Sequence, residues 1–140
     1  MSGFVTLVDP AGNVGGRSNV DVSLLTLTAS GVTVNGADQV NYDCRGLKLV
    51  IDLTANSGTS PTLTVTIQGK DPASGKYYPV LASAALAAVA TTVLTVYPGA
   101  PVSANVSAND ILPKTWRVIT TIGGSASPTV TATIGASLIV

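Results

Sequence analysis

With 140 residues, zero formal net charge and neither histidine nor glutamate, the chain is one domain's worth of sequence that lacks the commonest general base and metal ligand. Only 10% of its residues are charged, against about 25% in an ordinary soluble domain, and its seven basic residues are scattered, so no nucleic-acid partner is expected. All seven acids are Asp, and Val and Thr are heavily used, which is the composition of strands and turns rather than helices.

A chain of this length buries about two thirds of its unfolded surface and needs no metal or disulfide to fold. Cys44, the sole cysteine, reads as a small buried hydrophobe beside a turn. A sparsely charged surface implies that much of it is covered in use, so a homo-oligomer or larger assembly is expected. The start Met-Ser-Gly-Phe-Val has neither the basic nor the apolar region of a signal peptide.

Residues 1–18 hold a short apolar run, Phe4 to Val8, then Asp9-Pro10 and a Gly-rich stretch to Arg17, and read as a flexible arm preceding a single domain over 19–140. From Val20 the apolar positions are Val20, Val22 and Leu24, then Leu25 and Leu27. That one-residue change of face predicts a bulge near Leu24. Gly31 and Asn35-Gly36 mark turns. Leu47, Leu49, Ile51 and Leu53 alternate with Lys48, Val50 and Asp52 as a half-buried strand, and Ala55 to Pro61 reads as the turn after it. Leu63, Val65 and Ile67 then face inward against Thr62, Thr64, Thr66 and Gln68.

Lys70-Asp-Pro-Ala-Ser-Gly-Lys76 has Pro and Gly where a hairpin wants them and leads into a strand from Tyr77 to Ala82. Pro79 to Val96 is uncharged and as long as a short membrane helix, but its Pro boundaries and Ala/Thr content read as two strands with an Ala-rich connection or short helical turn. No membrane partner is expected. Further strands are predicted at 91–97, 115–122, and 129–134 running on to 138–140, the last two separated at Gly123 to Pro128. Eight or so short strands predict an all-β fold, a two-sheet antiparallel β-sandwich of jelly-roll or immunoglobulin-like topology.

The seven Asp are spread singly, with no Asp-x-Asp-x-Asp loop for calcium, and most read as turn formers. Gly12 to Ser18 lacks the Gly-Lys-Ser/Thr ending of a phosphate loop, and without His no serine triad of the usual kind can be assembled. No catalytic, cofactor-binding or metal-ligating residue is predicted, and the chain is read as non-enzymatic. Trp116 with Arg117 combines a large aromatic and a cation, a pairing that anchors interfaces, although a core Trp at a strand start is the plainer reading. The candidate interface residues are Phe4, Val5, Leu7, Trp116 and Arg117, the first three because an extended arm can add a strand to a neighbour's open edge.

The run Tyr42 to Tyr78, above all Gly69-Lys-Asp-Pro-Ala-Ser-Gly-Lys-Tyr-Tyr78, together with Val96-Tyr-Pro-Gly99, Leu112-Pro-Lys-Thr-Trp-Arg-Val118 and Gly135-Ala-Ser-Leu138, resembles small head proteins of tailed double-stranded DNA bacteriophages. The resemblance covers most of the chain from about residue 40 onward. It implies a decoration or minor head protein in the virion, made in the bacterial host cytoplasm and bound to the major capsid protein, often as a trimer, with no catalytic residues to carry over. A tail or fibre adhesion module that binds a host glycan is the alternative, and a small hydrolase a distant third.

Overall fold

The structure, a computed structural model, describes residues 18–140 and the backbone of 7–8 and 14–15. Ten strands follow in chain order: β1 (Leu7–Val8), β2 (Val14–Gly15), β3 (Val20–Ser30), β4 (Val34–Asn35), β5 (Gln39–Val40), β6 (Gly46–Lys70), β7 (Tyr77–Ala82), β8 (Ala90–Val96), β9 (Ser107–Ala108) and β10 (Thr115–Ile139). Among the described residues there is no helix, as the Asp-only, Val- and Thr-rich composition predicts.

Strands β6 and β10, 25 residues each, pair antiparallel along their whole length, from Trp116 opposite Gly69 to Ile139 opposite Gly46. Other strands flank the two halves of this ribbon differently. One half carries β3 beside the end of β10 and β8, then β9, beside the start of β6. The other half carries β4 and β5 beside the start of β10 and β7 beside the end of β6. Hydrogen bonding therefore makes one eight-stranded sheet with two leaves, where the sequence predicts two separate sheets.

Register places the apolar alternation of both long strands on one face, because Leu47, Leu49, Ile51 and Leu53 stand opposite Leu138, Ala136, Ile134 and Ala132, and Val65 and Ile67 opposite Thr120 and Val118. These side chains are almost fully buried. A single layer of sheet cannot bury its own face, and with no helix among the described residues one hydrophobic cluster joins the inner faces of both leaves, Leu27 and Leu47 with Leu63 and Val118. Leu25 of the first leaf accordingly lies against Gly36, whose N–H donates to the Val118 carbonyl of the second.

The fold-back occurs where the sequence predicts turns, at Ala55 to Pro61 and Gly123 to Pro128. Those residues bend the two strands together instead of ending them. Gly58 and Gly124 have φ of 102° and 119°, and Ser60, Ala126 and Ser127 also lie in the left-handed region. The bends nest: a Cβ on Gly124 would sit 2.8 Å from the Ser60 carbonyl oxygen, and one on Gly58 would sit 2.7 Å from Pro128 Cα. Glycine takes positive φ in a reversal and in a bend alike, and serine favours turns of either kind, so composition alone does not separate the two.

Other local expectations are met. The register between β3 and β10 shifts between Leu25 and Ser23, which leaves Leu24 as the extra residue of a bulge. The 71–76 hairpin closes through Asp71 N–H to the Lys76 carbonyl and Gly75 N–H to the Asp71 carbonyl, with Gly75 at φ 73°. The uncharged run from Pro79 forms parts of β7 and β8 joined by an Ala-rich connection, and no described helix is long and apolar enough to cross a membrane.

Candidate interaction surfaces

At the base of the molecule, opposite the bends, Asn41 ties the leaves together. It is buried, its amide donates to the carbonyls of Cys44 at 2.7 Å and Leu112 at 3.1 Å, and its side-chain oxygen accepts from Cys44 N–H at 2.9 Å. Arg45 N–H donates to the Ile139 carbonyl, Leu112 N–H donates to the Arg45 carbonyl, and Asn41 N–H donates to the Lys114 carbonyl. The start of β6, the end of β10 and the start of β10 are thus held at one point. Cys44 is buried there, as its size and turn context predict.

This knot pushes its neighbours outward. Tyr42 is 84% exposed, Ile111 63%, Val20 52% and Val40 46%. Val20 and Val40 belong to edge strands of opposite leaves, and with Ser18, Tyr42, Asp43, Cys44 and Leu138 they line a groove of about 400 Å³ that opens between the leaves. Exposed aromatic and aliphatic groups beside a cleft are what a protein contact uses as anchors. Along the chain Tyr42 carries no sign of this exposure, which depends on the long-range Asn41 contacts.

A second surface is polar. Asp38, between β4 and β5, accepts from Lys70 Nζ at 2.9 Å and from the Tyr77 hydroxyl at 2.7 Å. Arg117 stacks on the Tyr77 ring, 3.4 Å from its centroid, and its Nε donates to Gln68 at 2.9 Å. The Lys70 hydrogen bond, with that of Tyr77, holds the Asp38 carboxyl below the usual carboxylate range, and Asp38 raises the Lys70 ammonium in turn. Asp71 is also lowered, first by the Ser74 hydroxyl and then by Ala73 N–H, which is the hydrogen bonding of an Asp-led turn. This arrangement pins the β4–β5 edge to the hairpin; it brings no nucleophile to a base, and no group of three or more His, Cys, Asp or Glu that could hold a metal occurs among the described residues.

The candidate interface residues are dispersed. Phe4 and Val5 lie outside the described residues, and Leu7 is described through its backbone, opposite Gly15. Trp116 is completely buried in the core, its indole N–H without a hydrogen-bond partner among the described residues, so in this chain it packs the interior rather than presenting a surface. Arg117, its neighbour on the opposite face of β10, is half-buried in the polar cluster.

No protein-family model matches the chain, and no curated protein matches it. Two solved structures resemble it, that of the infectious bursal disease virus Gx strain, with TM-score 0.41 and 13% identity over 96% of this chain and 36% of that one, and that of the Gt strain of the same virus, with TM-score 0.37 and 14% identity over 88% and 31%. The chain spans about a third of the length of those chains.

Proposed function

We propose that this chain is a non-enzymatic structural protein of a virion, which binds the outside of a tailed-phage capsid as a decoration or minor head protein and assembles with copies of itself, as a trimer, on the major capsid protein. The observation that carries the proposal is the apolar base: Tyr42, Val20 and Val40 lie exposed at a groove on a molecule with only 10% charged residues. Such a surface calls for a protein cover. The phage assignment rests on the resemblance of Gly69 to Tyr78 and its companion segments, and the domain is taken to begin at residue 19, after the arm.

With the long strands divided at their bends, the first leaf reads β3, 130–139, 46–53, β8 and the second β4/β5, 115–123, 62–70, β7. We read this as a jelly roll, an architecture that hosts both capsid and lectin domains and so does not by itself separate decoration from glycan adhesion. Localisation does. Label on the head of the intact particle, in hundreds of copies, supports decoration, whereas a few copies on the tail overturn it. Tyr42→Ser, at a site where stability moves little, is expected to weaken binding to undecorated heads by about tenfold or more. Undiminished binding by this variant removes the base from the contact.

A further inference from the structure

Among the described residues strands β1 and β2 pair only with each other, Leu7 opposite Gly15 and Val8 opposite Val14, and form a two-stranded sheet apart from the main one. A hairpin of two residue pairs is not stable alone in water; it needs a third strand or an apolar surface. The first leaf offers both. β3 is its terminal strand, bonded to β10 on one side, with the other side's N–H and C=O row unpaired among the described residues.

Before the bulge at Leu24 the edge carries no Lys, Arg or Pro to guard it against strand addition, and its one charge, Asp21, is engaged by the Ser137 hydroxyl at 2.7 Å. The bulge at Leu24 interrupts the row and leaves Val20–Ser23 as a short, regular docking stretch, suited to a strand as short as β1. Beside it opens the groove lined by Ser18, Val20, Val40, Tyr42 and Leu138, at the point where the arm joins the described domain.

We infer that the β1–β2 hairpin of one copy adds to the Val20–Ser23 edge of a second copy and covers its groove. Only residues 16–19 separate β2 from β3, a connection short enough to make them neighbours within one chain, yet they stand in separate sheets. Asn19 instead reaches across to the far end of the chain, where Val140 N–H donates to its side-chain oxygen at 3.1 Å. A hairpin on one copy meeting an edge on the next is a heterologous contact, which closes into a ring when the rotation permits. The inference rests on the homo-oligomer part of the proposed function and not on capsid attachment.

The test uses the full-length chain in solution without capsids, with Cys44→Ala to remove the native thiol. A tagged copy carrying Leu7→Cys and an untagged copy carrying Val20→Cys are mixed and treated with a short bismaleimide. The expected product is a covalent tagged–untagged pair in excess over like pairs. Absence of that pair, or intramolecular closure of a chain that carries both Leu7→Cys and Val20→Cys, overturns the inference. As a second measurement, deletion of residues 2–15 is expected to reduce the sedimenting species to a single chain, and an unchanged oligomer mass overturns it. Chains that exchange hairpins yet fail to bind heads would sink the capsid reading and leave this one standing.

Discussion

Replacing Asn41 by alanine would remove three hydrogen bonds at once from a buried site, those to the Cys44 N–H and to the Cys44 and Leu112 carbonyls. At a net of about 1 kcal/mol per bond the loss is about 3 kcal/mol. For a chain between the 100- and 150-residue classes that lowers Tm by roughly 10 °C. Urea unfolding of the wild-type and Asn41→Ala chains should show a lower midpoint with an unchanged slope, since the surface exposed on unfolding is the same. Asn41→Asp sharpens the test, because a carboxylate still accepts from Cys44 N–H but confronts two carbonyl oxygens. Its folded pKa is then raised above the unfolded value, so the variant should gain stability as pH falls through its carboxyl range. A loss under about 1 kcal/mol for Asn41→Ala, or no pH dependence for Asn41→Asp, would refute the idea that this side chain joins the leaves.

Three more outcomes follow from the geometry. Gly124→Ala places a Cβ against the Thr59 and Ser60 carbonyls at φ 119° and should cost about 3 kcal/mol or more, whereas Gly99→Ala, at φ 89° with open space around it, should cost only about 1 kcal/mol; equal Tm shifts would contradict the nested bends. Because Asp38 is lowered in the folded state, its contribution is present above the unfolded carboxylate pKa and lost as pH falls through the folded one, so the stability gap between wild type and Asp38→Asn should close with acid in a pH series of melts. Trp116→Ala should cost about 3–5 kcal/mol in chemical denaturation, and a near-neutral result would remove Trp116 from the core.

Much of this fold can be read along the chain. The two-residue period of Leu47 to Leu53 and of Leu63 to Ile67 names the buried face, and the changed face after Leu24 names the bulge. Pro72 and Gly75 place the hairpin. These features depend on a residue's own φ preference and on its neighbours two positions away, which composition and spacing carry. Contacts between distant segments are different. Asn41 looks like any turn residue until Leu112, 71 positions on, supplies its second carbonyl, and Asp38 gathers Lys70 and Tyr77 from 32 and 39 positions away. The same holds for the stretches Ala55 to Pro61 and Gly123 to Pro128. Their glycines, serines and prolines determine that the backbone departs from a straight strand, but a strand bends instead of reversing only when its partner bends beside it and the hydrogen-bonded ladder resumes beyond, and that condition belongs to the pair.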